Sequence, residues 1–188
     1  MSRILITGAT GYVGGTVLSQ LLASTSSSIK HLTFDLLVRD EVQGLNLKTA
    51  YGYRVNTIKW PGLEYPAFIE NTASNYDIVI NTGCGFIPEG AIAFVNGLAR
   101  RVKTGNPAPW MLHISGCTNL ADCPLTQPSK TSLREWNDEE DSAGILEYMK
   151  LLDEKDPYAQ RTTENRCPRS CRCGWCPSCQ CQHALYLR

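Results

Sequence analysis

Thr7-Gly8-Ala9-Thr10-Gly11-Tyr12-Val13-Gly14 spells TGxxGxxG directly after the apolar run Arg3-Ile4-Leu5-Ile6. Gly8 permits a tight turn out of a strand, Gly11 lets the backbone approach a pyrophosphate with no Cβ in the way, and Gly14 lets a helix pack close to a sheet. A helix that starts here offers unpaired N–H groups and the positive end of its dipole to phosphates. A P-loop does not fit, because no Lys-Ser/Thr pair follows the glycines. The same glycines would also serve a turn used only for close packing.

The flanking chain supplies the context that the motif needs. Val17, Leu18, Leu21 and Leu22 recur with a helical period up to the break at Ser24 to Ser28. Strands are expected at about Leu32 to Val38, Arg54 to Trp60, Asp77 to Ile80 (fully buried) and Trp110 to Ile114. Helices are expected over Glu64 to Asn75, from Pro88 to Arg101, and around Ala143 to Leu152. Pro88 stands in a first turn, where its missing N–H costs nothing. Strands alternating with helices of this length predict an α/β fold, a Rossmann-type doubly wound parallel sheet.

The TGATGYVG turn near the N-terminus resembles that of the extended and atypical short-chain dehydrogenase/reductase superfamily. Within it, the chain is similar to the NAD-dependent epimerase/dehydratase-like, NAD(P)-binding oxidoreductases common in fungi. The resemblance covers about residues 3–165. It implies a bound nicotinamide dinucleotide and a smaller C-terminal substrate domain, of which this chain would lack the greater part. The cofactor-binding residues it implies are Gly8, Thr10, Gly11, Tyr12, Val13, Gly14, Arg39, Asn81, Thr82 and Gly83, with Gly85 as a helper. Asn81-Thr82-Gly83 equally suits a flexible exit from a buried strand.

Leu37-Val38-Arg39-Asp40 decides between the two dinucleotides. An acid after the second strand would accept from the adenosine ribose of NAD, whereas an Arg would pair with the 2′-phosphate of NADP. Arg39 directly follows the strand and Asp35 falls inside it, so NADP is favoured over NAD. A solvated strand-end charge is the plainer reading of Arg39.

Reductases of the superfamily combine a strand-end Ser or Thr with Tyr-x-x-x-Lys on a helix. The Tyr transfers the proton, its acidity raised by the Lys ammonium, while the hydroxyl holds the carbonyl oxygen. His113-Ile114-Ser115-Gly116-Cys117-Thr118 offers Ser115 or Thr118 for that hydroxyl. Tyr158-Ala159-Gln160-Arg161-Thr162-Thr163-Glu164 has the register of the helix, but Thr162 occupies the Lys position and carries no charge. Arg161 stands one position early, on a different side of the helix, and cannot shuttle protons. Tyr148 has the wrong spacing to Lys150. An active oxidoreductase acting on a carbonyl, an alcohol or a sugar nucleotide therefore stands beside a binding module that senses NADP without turnover, and beside a truncated, inactive product.

Composition conceals a division. The 188 residues carry 18 basic and 18 acidic side chains, yet residues 166–188 hold four Arg, no acid and six of the nine cysteines. The formal charge is thus −4 up to Asn165 and +4 beyond it, and the net zero says little about partners. No basic excess marks a nucleic-acid binder, no apolar run approaches the ~20 residues of a membrane span, and no signal peptide opens the chain. These features predict a cytoplasmic protein with a small-molecule substrate, no nucleic-acid or membrane partner and an open oligomeric state. Residues 1–165 are expected to form a partial dinucleotide-binding domain, and residues 166–188 a disordered or mis-translated tail. Cys173, Cys176 and Cys179 have zinc-knuckle spacing, but zinc ribbons and fingers separate their ligand pairs by roughly 12–20 residues. Metal buffering and a disulfide knot remain alternatives for the tail, and no metal site is assigned. The acidic run Glu135 to Asp141 reads as a solvated loop.

Overall fold

The first strand, β1 (Ile4–Thr7), is buried along its whole length, as befits a strand covered on both faces. The computed structural model describes residues 2–83, 85–120, 135–137 and 140–170. Cys84, Cys123, most of the loop after Leu120, Asp138, Glu139, and the cysteines from Cys171 onward with His183 lie outside the described residues. After β1 the chain runs through α1 (Tyr12–Ala23), β2 (Phe34–Val38), α2 (Glu41–Tyr51), β3 (Val55–Lys59), α3 (Pro66–Ala73), β4 (Ile78–Asn81), α4 (Pro88–Lys103), β5 (Trp110–His113), α5 (Ser142–Lys155) and α6 (Ala159–Ser170). All strand pairs are parallel and the sheet order is β3-β2-β1-β4-β5. This is the doubly wound order expected from the alternation of strands and helices.

Alternation along each strand divides the core in two. Leu5, Leu37, Val79 and Met111 pack with Ile69, Phe94 and Leu98 of α3 and α4. Ile4, Ile6, Phe34 and Leu36 pack on the other face with Leu18 of α1. The strand at Asp77 to Ile80 departs from the expectation of full burial, because Ile78 and Ile80 are half-buried and lie at the margin of that second cluster. On the same face of β5, Trp110 and Leu112 are exposed.

α2 has no counterpart among the sequence-based expectations. Val42 and Leu45 are exposed and the residue buried against the sheet is Gly44, so no apolar stripe marks the helix. Its legible signal is Asp40, whose Oδ1 accepts from the Val42 N–H at 2.7 Å as an N-cap. Past Asn165, where the sequence changes composition, α6 continues as far as Ser170. Arg166 pairs with Glu89 of α4 at 3.1 Å, and Cys167 packs against the α3–α4 side of the core. Burial pushes the Cys167 thiol up to about 12, with the nearby Glu164 adding to the shift.

Candidate functional site

The glycine turn is built as its spelling requires. Gly8 adopts φ +70°, the left-handed region that favours glycine. The Gly11 N–H returns to the Gly8 carbonyl at 2.9 Å. A Cβ on Gly14 would lie far inside contact distance of the Gly8 carbonyl and of Thr82 Oγ1, so the helix meets the strand ends only with glycine there. Gly11 differs: a Cβ there would meet only the Gly8 carbonyl oxygen, at 3.3 Å. Gly11 also stands at the N-cap of α1 and no side chain caps the helix, which leaves its first-turn N–H groups to an outside acceptor. Thr10, Tyr12 and Val13 are exposed around this opening.

The turn after β4 packs beneath it. Thr82 Oγ1 donates to the Thr7 carbonyl at 2.6 Å, and the Gly83 N–H reaches Thr7 Oγ1 at 3.1 Å and Asn81 Oδ1 at 3.2 Å. Asn81 is therefore a buried brace of the turn, while Gly83 lines a cleft of about 510 Å³ at the carboxyl ends of the strands. Gly8, Thr10, Arg39, Trp60 and Leu63 line the same cleft. In open parallel sheets, ligands bind at this edge.

Arg39 enters the cleft immediately after β2 and makes no ion pair among the described residues. The rival acid, Asp35, stands mid-strand opposite Leu5 and Asn56. Its carboxylate accepts from Asn56 Nδ2 at 3.0 Å and from the Tyr76 hydroxyl at 2.6 Å. Burial and that hydrogen bond push the Tyr76 phenol well above its ordinary range. Asp40, the other acid nearby, is the α2 cap. Gln43, Trp60 and Glu64 also line the cleft and escaped the sequence reading. A Trp-Pro-Gly run ending a strand was their only local sign.

The hydroxyl candidates separate in space. Thr118 Oγ1 lies 3.4 Å from the Tyr158 hydroxyl and donates to Gln160 Oε1 at 3.0 Å. Ser115 instead accepts from Asn119 Nδ2 at 3.1 Å. The structure thus brings Thr118 and Tyr158 together, with Phe86 edge-on to the Tyr158 ring. Arg161 and Thr162 take different partners: the Arg161 guanidinium lies 5.5 Å from the centroid of the Tyr158 ring, just before α6, and donates to the Asp156 carbonyl at 3.0 Å. Thr162 is tied to a carboxylate, donating to both oxygens of Asp153 at 3.0 and 3.1 Å. Among the described residues no cluster of three His, Cys, Asp or Glu is placed to hold a metal, and no helix is long and apolar enough to cross a membrane.

A parallel five-stranded sheet in the order 3-2-1-4-5, with a glycine turn after its first strand and a cleft at its carboxyl edge, defines a Rossmann-type α/β protein. No family model matches the chain, and no curated protein matches it. Solved structures do share its fold. One is a reductase engineered to attenuate substrate inhibition in asymmetric catalysis, 18% identical, with a TM-score of 0.53 over 90% of this chain and 52% of that one. A second is a putative epimerase from Bacteroides thetaiotaomicron, 13% identical, with a TM-score of 0.51 over 87% of this chain and 62% of the other. A third is a short chain dehydrogenase/reductase from Saccharomyces cerevisiae, 14% identical, with a TM-score of 0.50 over 83% and 66% respectively. The chain spans about half the length of the first of these structures. What the chain shares with these structures is the Rossmann-type α/β fold, as the alternation of strands and helices predicts.

Proposed function

We propose that this chain binds a nicotinamide dinucleotide, with NADP preferred over NAD, and that it is an oxidoreductase of the extended short-chain dehydrogenase/reductase type. The observation that carries this reading is the cleft at the carboxyl edge, lined by Gly8, Thr10 and Gly83, with Arg39 in it beside β2 and in no ion pair among the described residues. The donor set suits a dinucleotide. The first-turn N–H groups from Tyr12 onward would hold the pyrophosphate, Arg39 would hold the 2′-phosphate, and Gly83 would allow close approach from below. When bound, the cofactor exchanges hydride with the substrate. The chain's own part falls to Tyr158, whose hydroxyl would move the proton at the substrate oxygen, and to Thr118, whose Oγ1 would orient that oxygen. A carbonyl, alcohol or sugar-nucleotide substrate fits such chemistry.

One observation favours a second reading, a dinucleotide-binding module without turnover. Asp153 bonds the Thr162 hydroxyl and the Tyr158 N–H (3.0 Å), so a neutral hydroxyl held by a carboxylate occupies the position for which the resemblance calls for a Lys. Titration with NADP(H) and NAD(H), followed by NADPH oxidation with aldehydes, ketones and sugar nucleotides, separates the two. Binding with oxidation supports the enzyme, binding without oxidation supports the module, and no binding removes both.

The Arg39→Ala substitution tests the cofactor preference. Removing a charge-assisted pair costs about 1.5–3 kcal/mol, so NADP affinity should fall roughly ten- to a hundredfold while NAD affinity holds. Equal losses for both cofactors would remove the 2′-phosphate role.

A further inference from the structure

A buried polar chain crosses the sheet below the cleft, linking residues from β1, β4, β5 and α6. Thr7 and Asn81 are almost wholly buried, and the side chains of His113 and Glu164 are 11% and 7% exposed. The order of donors along it is dictated from one end. The Gly83 N–H is an obligatory donor 3.2 Å from the Asn81 amide, so the atom facing it is the oxygen, Oδ1, which also accepts from Thr7 Oγ1 at 2.7 Å. Asn81 Nδ2 must then point the other way, to His113 Nδ1 at 2.9 Å. Since Nδ2 only donates, Nδ1 must accept, and the ring proton resides on Nε2. Nε2 in turn faces Glu164 Oε1 on α6 at 3.3 Å. Neither atom has reached hydrogen-bond geometry, and among the described residues neither has another partner. Two buried polar atoms left facing one another in this way carry a penalty that a small shift of α6 would remove.

From this geometry we infer that His113 is a positioning residue, which in its Nε2–H tautomer couples the turn under the cofactor to α6, the helix that begins directly after Tyr158. A dinucleotide resting on Gly83 steadies Asn81 through the Gly83 N–H. Asn81 holds the imidazole in one tautomer, and Nε2–H draws Glu164 and α6 inward. The inference rests on the cleft being a dinucleotide site, although none of these four residues lines that cleft. Coupling of this kind is reciprocal, so weakening the link to α6 weakens cofactor binding.

The test begins on the unmodified protein without cofactor, so that it survives failure of the dinucleotide reading. Ring ¹⁵N spectra should show His113 bare at Nδ1 and protonated at Nε2; the opposite tautomer overturns the proposal. Two substitutions then part the chain. His113→Asn keeps an acceptor where Nδ1 stands and loses the group facing Glu164, whereas Glu164→Gln keeps the shape and removes the charge. Each should weaken NADPH binding by roughly tenfold, and the double variant should be no weaker than the worse single one. Hydrogen exchange of the amides between Ala159 and Arg166 should slow on NADPH binding in the parent protein but not in His113→Asn. Additive losses, or equal slowing in both proteins, would overturn the coupling. A parent protein that binds no dinucleotide yet shows the Nε2–H tautomer would remove the functional reading and, with it, the cofactor arm of the coupling.

Discussion

Gly14 and Gly11 belong to one motif but answer to different forces. At Gly14 the added atom would collide with the Gly8 carbonyl and Thr82 Oγ1, both held in the buried turn. Gly14→Ala should therefore cost about 1–3 kcal/mol of stability, in the range of other overpacked interiors, as measured by a lowered urea midpoint. At Gly11 the added atom would meet a single oxygen, the Gly8 carbonyl, at 3.3 Å, a tight contact but far short of the collision at Gly14. Gly11→Ala should leave the urea midpoint nearly unchanged while reducing dinucleotide affinity in a titration. Equal effects of the two substitutions on stability would show that the motif serves packing alone. Thr162 and Arg161 make the same point in reverse. Neighbouring in sequence, one is held by Asp153 while the other lies over the Tyr158 ring, so the electrostatic setting of Tyr158 differs from what a Lys at position 162 would create.

Elements in this fold are joined by side chains that lie far from the ends they secure. Arg54, just before β3, donates to the carbonyls of Leu22 at 2.7 Å, Ile29 at 3.1 Å and Leu32 at 3.1 Å. It thereby closes the end of α1, the connection after it and the approach to β2 with one guanidinium. Arg54→Met keeps the apolar stem but leaves those carbonyls without their donor, at a cost of about 1–3 kcal/mol. Hydrogen exchange and proteolysis should quicken between Ser24 and Leu32 before they quicken elsewhere; a uniform change would argue against a local clamp. α2 shows why such elements escape a reading by apolar period. It is held by its Asp40 cap and by Gly44 against the Val38 and Thr57 side chains, by Leu47 and Tyr51 at the margin of the core, and by the exposed Lys59–Glu41 pair at 2.8 Å. Two large apolar residues on the buried face are too few to mark a period.

Across the whole molecule, Asp77 ties the first strand to the fourth and to a helix beyond. It accepts from the Arg3 N–H at 2.8 Å and pairs with the Arg101 guanidinium of α4. Burial acts to raise its pKa, but the bonds from Arg3 and Arg101 together outweigh it and hold the carboxyl below its ordinary value. A carboxyl lowered in this way stabilises the fold fully above the unfolded value of 3.8 and loses that contribution as pH falls through the folded one. Urea midpoints should therefore drop as the solution is acidified below about pH 4, and Asp77→Asn should flatten that drop while lowering the midpoint at neutral pH. An unchanged acid slope would show that other carboxylates govern it. The alternation of strand and helix, the glycine turn and the position of Arg39 after its strand were all legible in order along the chain, because each depends on contiguous residues: a missing Cβ, an apolar period, a charge at a strand end. The half-burial of β4, the meeting of Thr118 with Tyr158 across forty residues, and the Thr7–Asn81–His113–Glu164 chain were not legible. Those contacts join segments that only strand order and the docking of α6 bring together, and no local spacing encodes which distant side chain will face which.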